Sequence, residues 1–188
     1  MTVILASLNL ALTLVGGADT GRVGYTKADV EFMQGMLAHH GQALVMAAMV
    51  PSRTARTPLR MLAERITVSQ KDEIGLIRRW LLDRQEEAPT AEPGHQHHDG
   101  AEHLMPGMLT AEQIAQLEQS TGPAFEQLFL EGMIRHHQGA ITMVAKLFGT
   151  QGAGQETDIF RFATDVDADQ RAEIRRMRAL LSTAATKP

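Results

Sequence analysis

The sequence contains no cysteine. Disulfides and thiolate metal sites are therefore excluded, and a sulfur ligand here can only be a methionine thioether. An excess of positive charge is also missing: 18 Lys and Arg stand against 22 Asp and Glu, a net charge of −4. Phosphate binding wants a basic face, so nucleic acid is not an expected partner. No run of Lys or Arg suggests attraction to an anionic membrane surface. Alternation of period two is absent, which argues against a sheet. Long apolar runs are missing except at the start, from Met1 to Val15. At about 15 residues that run is short for a bilayer span.

What the chain does have is methionine, eleven residues, against an aromatic share of only 4%. Its 188 residues suit one domain, or two small halves sharing a core. The N-terminal apolar run ends in Gly16-Gly17-Ala18, small residues before a cut after Ala18. This pattern predicts a signal peptide over residues 1–18, although no Lys or Arg precedes the run. The alternatives are a short N-terminal anchor and an arbitrary start. Residues 19–188 are then one helical domain. The expected location is an exported one, with membrane contact only through an uncleaved N-terminal segment.

One stretch recurs. Phe32-Met33-Gln34-Gly35-Met36-Leu37-Ala38-His39-His40-Gly41-Gln42-Ala43-Leu44-Val45-Met46 returns 97 positions later as Phe129 to Met143, with Phe, Gly, Met, the His pair, Ala and the last Met in register. Four of the eight histidines lie in these copies. Thr26 and Asp29 form a capping signal for the first helix, which Pro51 is expected to end near Met49. Its apolar side reads Phe32, Met36, His39, Ala43, Met46 and Val50, the alternating steps of four and three of a bundle seam. A second helix is expected from about Pro58 to Asp83. Its inner side carries Leu59, Leu62, Ile66, Ser69, Glu73, Leu76 or Ile77, and Trp80. Residues 84–109 read as a His-rich linker, with Pro, Gly and Glu. Thr110 with Gln113 caps a short helix, and Thr121-Gly122-Pro123 opens the long one bearing the second His pair. The last helix, from about Glu156 to Leu181, repeats Gln70-x-x-Glu73-Ile74 as Gln170-x-x-Glu173-Ile174.

The repeat is thus a helical hairpin, over residues 26–83 and 110–182. Each copy has an apolar stripe that it cannot bury alone. Packing the copies face to face predicts an all-α four-helix bundle with a long crossover and a short extra helix.

In that bundle His39, His40, His136 and His137 approach from opposite sides, with Met36, Met46, Met133 and Met143 beside them. Imidazole with thioether suits copper or silver, and imidazole alone also admits zinc. Glu73 and Glu173 are placed to hold the second nitrogen of a ligating imidazole. Four buried imidazoles are costly unless each is bonded or ligated. The structural alternative is a His–Glu network that only fixes the core. A diiron site would need Glu three residues before a His, where Met36 and Met133 stand. His95, His97, His98 and His103, with Met105 and Met108, form an accessory donor tract in the linker, or simply a solvated loop.

The doubled Phe-x-x-x-Met-[Leu/Ile]-x-His-His motif, the following Gln-x-x-Glu-Ile and the central Met105-Pro106-Gly107-Met108-Leu109-Thr110 resemble the DUF305 family over about residues 26–182. The resemblance implies an exported bacterial protein with a ferritin-like bundle. Some members bind copper or silver in the periplasm. It implies a metal-binding or metal-resistance role for Met36, His39, His40, Met46, Met133, His136, His137 and Met143. Two departures stand out. Gly41-Gln42 in the first copy faces Gln138-Gly139 in the second, and Ile77 stands where Met177 stands.

The sequence therefore predicts a copper- or silver-binding protein that sequesters or transfers its ion. The competing reading is a non-metal envelope interaction module. No nucleophile, phosphate loop or carboxylate-rich iron set is present, so enzyme activity is not expected. The expected partner is the metal ion, with a second copy or a transfer partner left open.

Overall fold

The computed structural model describes residues 24–91 and 104–185. The N-terminal segment 1–18 and the linker residues His95, His97, His98 and His103 lie outside them. Among the described residues there are five helices and no strand: α1 (Lys27–Arg53), α2 (Thr57–Asp83), α3 (Ala111–Gln119), α4 (Gly122–Gly149) and α5 (Thr157–Ala185). α1 packs along α2 and α4 along α5, and the two hairpins meet through α1 and α4. α2 and α5 do not pack closely on one another. The short α3 belongs to the crossover and touches α4.

The caps form as the sequence predicts. Thr26 and Asp29 make a reciprocal capping box, as do Thr110 and Gln113. Asp29 also reaches across the molecule. Its Oδ2 accepts from the Thr26 backbone N–H at 2.7 Å, while its Oδ1 accepts from Gly154 N–H at 2.7 Å. The start of α1 is thereby tied to the α4–α5 turn. Gly154 has φ +69°, and a Cβ there would lie 2.7 Å from Phe148 Cδ1.

One boundary differs from expectation. α1 does not stop near Met49 but continues through Pro51 to Arg53. Proline removes a single N–H from the last turn, and Thr54 N–H still closes on Val50 O at 3.3 Å.

The expected seam is buried throughout: Phe32, Met36, His39, Ala43, Met46 and Val50. On α2 the inner choice is Ile77, because Leu76 faces solvent. Gln70, not Ser69, takes the buried polar position, one turn beyond Ile66. Ser69 and Glu73 sit at the margin.

Two apolar cores result. One gathers Met33, Met36, Ile77, Trp80, Val144 and Ile159. The other gathers Met46, Leu59, Ile66, Phe125, Phe129, Met133 and Met177. Each fully buried Leu, Met or Phe contributes about 1.5–3 kcal/mol. Between the cores runs a polar layer that holds all four repeat histidines, Gln70, Gln170 and Glu173, every one buried.

Candidate metal centre

The histidine layer forms because each His pair sits mid-helix. His39 and His136 face each other across the α1–α4 contact, with ring centroids 3.8 Å apart and planes tilted by 37°. His40 and His137, rotated by about 100° on their helices, turn toward α2 and α5. His137 Nε2 donates in line to Glu173 Oε2 at 2.6 Å. His40 Nε2 lies 2.5 Å from Glu73 Oε2, yet off the hydrogen-bond line, and Ser69 Oγ reaches the other Glu73 oxygen at 3.3 Å.

The crossover sets the remaining partner. Pro106 O lies 3.0 Å from His39 Nε2. A carbonyl only accepts, so Nε2 carries the proton and Nδ1 keeps its lone pair. Gln42 holds the same turn by two bonds, Nε2–H to Leu109 O at 2.9 Å and Oε1 from Leu109 N–H at 2.8 Å. Gly139 makes the approach possible: a Cβ there would stand 1.8 Å from Pro106 O. Gly41 likewise admits Ala91, whose carbonyl would lie 1.6 Å from a Cβ. The mismatch between Gly41-Gln42 and Gln138-Gly139 is therefore the seat of the single crossover. Sequence reasoning noted that mismatch without assigning it a role. It also missed the burial of Gln70 and Gln170, although their recurrence in the repeat signalled them.

Every ring retains at least one nitrogen without a hydrogen bond: Nδ1 of His39 and His137, Nε2 of His136, and both nitrogens of His40. Burial, helped by the neighbouring rings, lowers His39 to about 3 despite the Pro106 carbonyl. Burial also holds His136 well below its ordinary value, His39 and His137 adding to the effect. Both are neutral at physiological pH, the form that ligates metals.

Met36, Met46 and Met133 are fully buried, and Met143 is half-buried. The Met46 methyl would meet a Cβ on Gly132 at 3.3 Å, one turn before His136. Symmetrically, the Met143 methyl would meet one on Gly35 at 3.3 Å, one turn before His39. Met105 Sδ joins Met143 over Gly35 at 3.4 Å. Met108 is half-buried in the same turn. Among the described residues no three His, Asp or Glu side chains stand ready around one metal position. The donors come instead as imidazole pairs with thioethers a helical turn away, a set suited to a soft ion of low coordination number.

Residues 29–181 match the family model described as a domain of unknown function, DUF305. The chain belongs to the DUF305 family. A DUF305 fragment from Deinococcus radiodurans has a similar crystal structure, with TM-score 0.71 and 31% identity over 85% of this chain and 98% of that one. A candidate secreted DUF305 protein from Streptomyces coelicolor gives 0.70 and 29% over 85% and 94%. CopM in its Cu(II)-bound form gives 0.66 and 25% over 82% and 96%. CopM structures with Cu(I) and with Ag share the fold at 23% and 24% identity. No curated protein matches the sequence. No described helix of this DUF305 chain is long and apolar enough to cross a membrane.

Proposed function

We propose that this DUF305 protein is an exported metal-binding protein that takes up copper or silver in its histidine layer and sequesters or transfers it. One observation carries this reading. Four buried imidazoles each keep an unbonded nitrogen, in a layer bounded by methionine-bearing cores. Such atoms are costly to bury without a partner. His39, His40, His136 and His137 supply nitrogen, and Met36, Met46, Met133 and Met143 are the thioethers within a helical turn or two. Glu73, Glu173 and the Pro106 carbonyl orient the rings. A soft monovalent ion suits this donor set, and zinc is a poorer match. CopM, whose fold this chain shares, has been crystallised with Cu(I), Cu(II) and Ag, which supports the choice of metal. The candidate secreted relative and the N-terminal apolar run support export.

The test is anaerobic elemental analysis of the purified protein before and after chelation, followed by competitive Cu(I) and Ag(I) titration. Binding should weaken at least tenfold in His39→Ala/His136→Ala. An affinity no greater than that of an unrelated methionine-rich protein overturns the proposal. The in-line His137–Glu173 bond favours a second reading, in which the layer only fixes the core of a helical interaction module. On that reading the same variants lose stability, and there is no metal affinity to lose. No enzymatic role is proposed.

A further inference from the structure

All four imidazoles are at most 1% exposed, so an ion bound there must reach them through some face of the bundle. The α1–α4 face is closed by the crossover. Gln34 holds Glu87 O at 2.8 Å, Gln42 holds Leu109, and Pro106 sits on Gly139. The opposite face is open. α2 and α5 stand apart there, and the gap contains cavities of about 590 and 500 Å³. Ser69 and Asp169 line both; Glu73 lines the larger and Glu173 the smaller.

The larger cavity is acidic. Six carboxylates, Asp72, Asp165 and Asp169 among them, stand against three guanidinium groups. One of those, Arg84, is paired with Glu156 at 3.3 Å and with Asp158, one of the six, at 3.6 Å. Asp169 is raised above the usual carboxylate range, first by partial burial and then by Glu73 and Glu173. Behind Glu73 lies His40, fully buried, with no in-line partner on either ring nitrogen. Met33, Trp80, Phe162 and Val166 give the cleft an apolar wall, and Glu73 on that lining backs directly onto the unsatisfied imidazole.

We propose that the α2–α5 cleft is the access route for a metal cation, with Ser69 and Asp169 at its mouth and Glu73 and Glu173 at its floor above His40 and His137. An acidic cleft with low-dielectric walls concentrates cations and speeds their association. Carboxylate oxygens at the floor replace part of the water that the ion sheds before it is buried. The inference rests on the metal-binding reading.

The full chain lacks cysteine, so Ser69→Cys places a single thiol in the cleft. Its rates with a cationic and an anionic methanethiosulfonate reagent are compared, each relative to a free thiol. The cationic reagent should be favoured about tenfold, and Asp165→Asn/Asp169→Asn in the same chain should reduce the preference severalfold. Equal rates with Ser69→Cys alone overturn the route. With Ser69 retained, stopped-flow association of Ag(I) should slow about tenfold in Asp165→Asn/Asp169→Asn. Ag(I) binding at an unchanged association rate overturns the route alone. Absence of Ag(I) binding to the unaltered chain overturns the metal-binding reading and the route together.

Discussion

His39 and His136 stack neutral inside the bundle, although either ring in water would titrate near 6.5. Their folded values are depressed, His39 to about 3. Below pH 6.5 the unfolded chain therefore binds more protons than the folded one. The stability these rings contribute is complete above about pH 6.5 and is lost as pH falls toward their folded values. Each ring adds a slope of about 1.4 kcal/mol per pH unit in that window. Urea unfolding of metal-free protein should show a falling midpoint from pH 6.5 to pH 5, shallower in His39→Phe. A flat profile would mean that the rings take up protons in the fold as readily as in the unfolded chain. The two glutamates differ as well. The Glu173 side chain is bonded in line and 7% exposed, whereas the Glu73 side chain is 12% exposed and off line. Glu173→Gln should cost about 1–3 kcal/mol in chemical denaturation, and Glu73→Gln clearly less.

Glycines within the helices separate contact from propensity. At Gly139 a Cβ would strike the Pro106 carbonyl, while at Gly75 it would meet nothing within 4 Å. Gly139→Ala should therefore destabilise by about 1–3 kcal/mol and shift the His39 ring signals in NMR spectra. Gly75→Ala should stabilise by up to about 1 kcal/mol. Equal thermal shifts would show that the crossover does not press on α4. The helices themselves were legible in the sequence, because periodicity, the two capping boxes and Pro58 and Pro123 are local signals. The Met36–His39–Met46 seam was legible for the same reason. The Pro106–His39 bond was not, since it joins residues 67 apart through a turn with no periodic pattern. The choice of Gln70 over Ser69 as the buried residue depends on how α2 rotates against α1, which neighbouring positions on one stripe do not decide. Pro51 misled because a proline usually ends a helix, whereas in a final turn it costs only one bond.

The whole bundle depends on the α1–α4 contact. Each hairpin alone exposes half of the seam, including Met36, Ala43 and Met46 on one side and Phe129, Met133 and Ala140 on the other. All of these are at most 1% exposed in the full fold. A fragment comprising residues 24–91 should lack the cooperative thermal unfolding of the intact chain in circular dichroism and should bind no Ag(I). A fragment that folds by itself would show that the repeat is a true domain. The depth of the histidine layer also has a kinetic meaning. An acceptor protein that exchanges ligands stepwise must touch the ion before the donor releases it. Rings no more than 1% exposed offer it no such foothold. Residence time in the layer would then follow the ion's own escape through the α2–α5 cleft and not the concentration of the acceptor.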